Sequence, residues 1–101
     1  MEAITAAADL LRALGAPLRM LIIDELIAGE RCVHELVSAS SERGRPASQS
    51  LISQHLRVLR GAGLVITERR GQEIAYRLAD QHVAQIVADA FAHAAEPTPE
   101  P

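Results

Sequence analysis

The run Ser48-Gln49-Ser50-Leu51-Ile52-Ser53-Gln54-His55-Leu56-Arg57-Val58-Leu59-Arg60-Gly61-Ala62-Gly63-Leu64-Val65 decides the fold, because two chemistries alternate along it with helical spacing. Leu51, Ile52, Leu56, Leu59 and Ala62 fall on one stripe of a helix over residues 48–62, and Gln49, Ser50, Ser53, Gln54, Arg57 and Arg60 fall outside it. Ser48 is suited to cap the start, and Gly61 and Gly63 end the helix. The first turn, with Ser48, Gln49 and Ser50, carries short polar groups able to reach base edges or phosphates. Glutamine bonds adenine bidentately, and Arg57 and Arg60 suit phosphates. A merely solvated amphipathic helix shows the same pattern, so the flanking segments decide between the two readings.

Downstream, residues 65–69 and 73–78 are β-prone runs joined through Arg70-Gly71-Gln72, which predicts a hairpin. Arg69, Arg70 and Gln72 at its tip are placed to enter a minor groove or grip phosphates, although basic tips also keep sheet edges soluble. Upstream, residues 40–47 are polar and contain Gly44 and Pro46, which predicts a loop presenting Arg43 and Arg45 to solvent. Three further helices precede it. Residues 2–14 form one stripe closed by Gly15; Pro17 opens a second helix, with Leu18, Leu21, Ile22, Leu26 and Ile27 apolar, that stops at Gly29; residues 33–38 form a short third. A last helix from Asp80 to about Glu96 has Val83, Ile86, Val87, Ala90, Phe91 and Ala94 as its apolar face. The alternating prolines of residues 97–101 predict a disordered tail, leaving residues 1–96 as one domain for DNA binding and dimerisation. Four helices, a basic hairpin and a closing helix make a mainly α fold with a β-hairpin wing, the winged helix-turn-helix.

Composition supports this reading. The chain has 101 residues, 49% of them apolar, yet only one Tyr and one Phe (Tyr76 and Phe91), so a single thin core is expected to lean on a second copy in a homodimer. The net charge of −3 is unfavourable for a nucleic-acid binder, but residues 43–77 hold seven arginines against Glu68 and Glu73. Double-stranded DNA is therefore the expected partner of that segment. The lone Cys32 excludes an internal disulfide, and no leader or long apolar run is seen, which predicts a soluble cytoplasmic protein without a membrane partner.

The last helix carries a second pattern. His82 and His93 lie on one face, about three turns and 16 Å apart, so one ion cannot bind both within a chain. Asp80 stands before the helix beside His82, and Glu96 one turn beyond His93. Two such helices packed antiparallel across a dimer axis would bring Asp80 and His82 of one chain to His93 and Glu96 of the other. Two symmetric N2O2 sites result, a donor set suited to tetrahedral Zn2+, with Co2+ as a tolerated substitute. The spacing also fits a plainer reading, in which Asp80 only caps the helix and His93 and Glu96 are an exposed pair.

The segments Leu18 to Ile23, Cys32-Val33-His34-Glu35-Leu36, Ile52 to Val65 and the hairpin from Gly71 to Leu78 together resemble the ArsR/SmtB metal-sensing transcriptional repressors. The likeness covers nearly all of residues 4–96. The zinc-responsive branch carries D-x-H, ten residues, then H-x-x-E on its final helix, and Asp80, His82, His93 and Glu96 fit without a gap. The resemblance implies an operator-binding homodimer that zinc releases, and a contact from His93 to the backbone near the end of the reading helix. Two departures stand out: the segment over residues 40–47 is about five residues longer than in typical members, and residues 1–15 hold no Cys or His to complete a soft-metal site with Cys32 and His34. Nickel is disfavoured, since the chain begins Met1-Glu2 and not with the Gly-His of nickel-binding relatives. The rival reading is a repressor of the same fold answering to a redox signal at Cys32 or to another metal. Catalysis is not expected, because four protein ligands leave a zinc ion no open position for water.

Overall fold

The computed structural model describes residues 2–97, so the expected tail lies, from residue 98 onward, outside the described residues. Helix α1 (Ala3–Leu14) starts where the Glu2 carboxylate accepts the Thr5 N–H at 2.8 Å, and α2 (Pro17–Ile27) opens with a proline at its first position, where the missing N–H costs nothing. A two-residue strand, β1 (Arg31–Cys32), follows, then α3 (Val33–Glu42), α4 (Gln49–Gly61), the hairpin strands β2 (Val65–Arg70) and β3 (Glu73–Leu78), and α5 (Gln81–Ala95).

The winged helix-turn-helix is present as expected, with three corrections of detail. The short third helix expected over residues 33–38 extends to Glu42, because Ser40 points inward: it is fully buried, donates from Oγ to the Val37 carbonyl at 2.8 Å and accepts the Ala47 N–H at 3.2 Å. A serine-rich run reads as loop until one hydroxyl finds two backbone partners. Of residues 40–47, the first three thus belong to helix α3. The sheet also has three strands and not two: β1 pairs antiparallel with β3 (Arg31↔Tyr76, Cys32↔Ala75), giving the order β1-β3-β2. Two residues carry no periodicity, so β1 was not visible in the sequence. Finally, the buried faces shift. Ile23 is fully buried while Ile27 is exposed on α2, and on α4 only Ile52, Leu56 and Leu59 are buried, with Leu51 and Ala62 exposed.

The core gathers Ile22, Ile23 and Leu26 of α2, Leu36 of α3, Ile52, Leu56 and Leu59 of α4, Leu64 and Val65 at the wing base, and Val83 and Val87 of α5. Each such side chain contributes roughly 1.5–3 kcal/mol of burial, so α4 is held by three of them along its inner face. Its end is set by a Schellman motif: the Leu64 N–H donates to the Leu59 carbonyl at 2.9 Å and the Gly63 N–H to the Arg60 carbonyl at 3.0 Å. Gly63 takes φ 74° there, which a side chain would resist. Gly61 lies inside the helix. The chain then enters β2, and the hairpin turns through Gly71 and Gln72, between the paired Arg70 and Glu73. Gly71, at φ 64°, supplies the left-handed residue that a two-residue hairpin needs first. Among the described residues no helix is long and apolar enough to cross a membrane.

Candidate nucleic-acid interface and metal-ligand pairs

Helix α4 begins at Ser48, whose Oγ accepts the Leu51 N–H at 3.1 Å, so that hydroxyl is used in capping. Beyond it Gln49, Ser50, Gln54, Arg57 and Arg60 are exposed and Ser53 is half-buried. Positions 49, 53 and 57 succeed one another at four-residue steps and positions 50, 54 and 57 beside them, so one continuous polar strip runs up the helix. Gln49 borders a cleft between the start of α3 and strand β3, with Cys32, His34, Glu73, Ile74 and Tyr76. His55, on the flank of the buried face, is half-buried; desolvation lowers its pKa, and the neighbouring Arg19 charge adds to this.

The arginines divide into two sets. Arg45, Arg57, Arg60, Arg69 and Arg77 are exposed and have no ion-pair partner among the described residues. Arg43 is exposed, as expected, but is also paired with α2, with Nη2 2.8 Å from Asp24 Oδ2 and Nη1 3.0 Å from Glu25 Oε2. Arg70, at the end of β2, turns back toward the body of the domain: its Nε lies 3.3 Å from Glu30 Oε1 and its Nη1 3.6 Å from Glu35 Oε1. Glu35 is itself anchored, accepting the Cys32 N–H at 2.7 Å; that bond holds its carboxyl below the usual range, burial opposes the shift and the Arg70 charge assists it. Sequence reasoning found the basic segment but missed the acids that answer two of its members. The spacing of Glu35, three residues after Cys32 at a helix start, was the one available signal.

The metal-ligand candidates form two pairs on α5. Asp80 caps the helix, its Oδ1 accepting the Val83 N–H at 3.2 Å, and the same oxygen lies 3.6 Å from His82 Nδ1. At the other end His93 Nδ1 lies 4.0 Å from Glu96 Oε2. The plainer roles and the ligand arrangement therefore coexist. Two donors on a tetrahedral zinc ion stand roughly 3.4 Å apart, from bond lengths near 2.1 Å. Both pairs are close to that edge, and both imidazoles are open, at 93% and 89% exposed. Within one chain, among the described residues, no group of three or more His, Cys, Asp or Glu comes together to hold a metal ion. Cys32 is a free, buried thiol whose pKa is raised by burial against the opposing Arg70 charge, which keeps it in the less reactive protonated form. His34 Nδ1 lies 2.9 Å from Glu73 Oε1.

Helix α5 also leaves apolar surface uncovered. Phe91 is 40% exposed, and on α1 Ile4 and Leu11 are 78% and 56% exposed.

Comparison with known proteins agrees with this architecture. Residues 46–67 match the family described as bacterial regulatory protein, arsR family. The HTH-type transcriptional repressor SmtB of Mycobacterium tuberculosis is 53% identical over 95 residues, spanning 94% of this chain and 67% of its own. The crystal structure of the transcriptional repressor BigR from Xylella fastidiosa superposes with a TM-score of 0.81 at 32% identity, over 93% of this chain and 91% of that one. The solution structure of the homodimeric winged helix-turn-helix domain of Mb0332 from Mycobacterium bovis gives 0.78 at 30% identity, over 90% and 80%. With its reading helix, its wing and this degree of identity along nearly its whole length, the chain belongs to the ArsR/SmtB family of winged helix-turn-helix transcriptional repressors, DNA-binding regulators and not enzymes.

Proposed function

We propose that the protein is a homodimeric, zinc-responsive repressor that binds operator DNA when metal-free and leaves it when zinc occupies two interchain sites. Each site is built from Asp80 and His82 of one chain with His93 and Glu96 of the partner subunit. The observation that carries this reading is the division of the donors into two exposed pairs, each spaced for a shared ion, at opposite ends of one helix. The likeness of residues 80–96 to the zinc-responsive branch supports it. Exposed Ile4, Leu11 and Phe91 support a second copy as the partner, as does the homodimeric state of the Mycobacterium bovis domain. When bound, zinc would supply a cross-link between subunits, and Co2+ would substitute.

DNA binding falls to Ser48, Gln49, Ser50, Ser53, Gln54 and Arg57 on α4 and to Arg69 and Gln72 on the wing, with Arg70 acting there through its carboxylate partners. The polar strip of α4 reads base edges, and the unpaired arginines take phosphates. Release requires that zinc favour the free dimer over the bound one, and a coupling of ~1–3 kcal/mol gives roughly 5–150-fold weaker operator binding. On the chain's own side, Val83 and Val87 of α5 lie in the same core cluster as Leu56 and Leu59 of α4, so the two helices are packed into one body.

Fluorescence anisotropy on duplex DNA from upstream of the gene, titrated with zinc and then chelator, tests the reading. Reversible release is expected, and a tight complex indifferent to zinc would overturn the metal assignment. Mixing His82→Ala with His93→Ala chains tests the interchain geometry: the heterodimer keeps one intact site and loses both histidines of the other, so one zinc per heterodimer is expected.

A further inference from the structure

The wing's outer half has little to hold it. Strand β1 covers β3 only at Ala75 and Tyr76, so the rungs Arg69↔Ile74 and Arg70↔Glu73 form a two-stranded ribbon beyond it. Such a ribbon is marginal by itself in water. Each of its strands has one tie to the body of the domain. On β3, Glu73 meets His34 at 2.9 Å. On β2, Arg70 reaches both Glu30, in the connection between α2 and β1, and Glu35, in the first turn of α3, and its Nη2 also donates to the Glu30 carbonyl at 3.5 Å. The bond from the Cys32 N–H fixes Glu35 before Arg70 arrives, so less side-chain freedom is lost when the pair forms.

We infer that Glu30, Glu35 and Arg70 form a latch that sets the position of the wing on the duplex, with Arg70 a positioning residue and two carboxylates that promote DNA binding in spite of their charge. The inference rests on the reading of this face as a DNA interface. It separates cleanly from ordinary electrostatics, because the two give opposite signs. A carboxylate near a polyanion repels it, so its removal alone tightens binding and leaves the protein's other contacts in place. A carboxylate that orders the wing has the reverse effect: without it the ribbon must be ordered at the moment of binding, and affinity falls.

The variants are Glu30→Gln/Glu35→Gln, in which the side-chain amide oxygen introduced at position 35 still accepts the Cys32 N–H, and Arg70→Gln, each measured on the upstream duplex over a range of salt. The expected result is operator affinity about fivefold weaker for either variant, no further loss when the two are combined, and an unchanged salt slope. Binding by Glu30→Gln/Glu35→Gln that equals or exceeds wild type overturns the latch. So does a slope for Arg70→Gln shallower by about 0.9, which is the mark of a lost phosphate contact. Amide hydrogen exchange of the free protein gives a reading that needs no DNA. Residues 68–74 should exchange about fivefold faster in both variants while α4 is unaltered, and unchanged wing exchange overturns the proposal. If wild type failed to bind any duplex, the DNA reading would fall while the exchange result still decided the latch.

Discussion

Helices α4 and α5 sink one face into the same core and differ in what their other faces offer. On α4 the stripe of Ile52, Leu56 and Leu59 is backed mainly by glutamines, serines and arginines, and the apolar residues outside it, Leu51 at 37% and Val58 at 43% exposed, stand singly among those polar groups. On α5 a single stripe changes character along its length: Val83 and Val87 are buried, whereas Phe91, one turn later, is 40% exposed. An apolar stripe that continues past the edge of its own core is made for another apolar surface. The lesson is that the same amphipathic signal marks a helix whose stripe ends with its core in one place and a helix whose stripe runs on past the core in another.

The sharpest way to break this contrast is inside α4. Leu56→Ala removes a side chain 1% exposed at the centre of the core and should cost ~2–5 kcal/mol, seen as a lower denaturant midpoint at every protein concentration. Phe91→Asp should spare the fold of each chain yet weaken dimerisation by about 2 kcal/mol or more, with a concentration-dependent loss of operator binding in sedimentation and anisotropy. A monomer that is itself unfolded by Phe91→Asp would erase the distinction between the two halves of α5. On the polar side of α5, His93→Ala is expected to keep apo operator affinity and to lose the zinc response of ~1–3 kcal/mol. Equal loss of apo binding would show that the ligand pair and the reading helix are not separable. On the polar side of α4, Arg57→Ala should weaken binding by about 1 kcal/mol across all sequences and reduce the salt slope by about one contact.

The smallest effect concerns His55, at the border between the faces of α4. Its folded pKa lies below its ordinary 6.5 because of desolvation and then Arg19. The unfolded chain therefore takes up the proton first as pH falls. Stability is full above about 6.5 and declines as pH drops from there through the folded value, so the thermal midpoint should fall over that window. His55→Gln should flatten this dependence, and an identical pH profile in the variant would place the titration elsewhere.

Most of the fold was legible because it follows from local rules. Ser48 caps, Gly63 and Gly71 take left-handed angles, and Asp80 opens α5, each at its expected position. The four metal-ligand candidates were legible as two His–carboxylate pairs from their spacing, and the structure adds the distances within them, 3.6 Å and 4.0 Å. The ion pairs of Arg43 and Arg70 were not foreseen for one reason. Charge counted along the chain takes no account of Asp24, Glu25, Glu30 and Glu35, which belong to a different stretch of sequence and face those arginines only after folding. The inward turn of Ser40 and the two-residue strand β1 escaped notice similarly, since their partners Ala47, Ala75 and Tyr76 are set by packing.

By itself, then, the order of residues determined where most helices start and stop, where the hairpin turns, and which histidines and carboxylates neighbour one another at the two ends of α5, because capping, φ preference and helical period act over a few neighbours. Tertiary structure alone decided which arginines are free for a duplex, which apolar residues of α5 remain uncovered, and how the wing is tied down. Those properties depend on which surfaces meet across long separations, and ion pairing and burial are set by that meeting rather than by sequence distance.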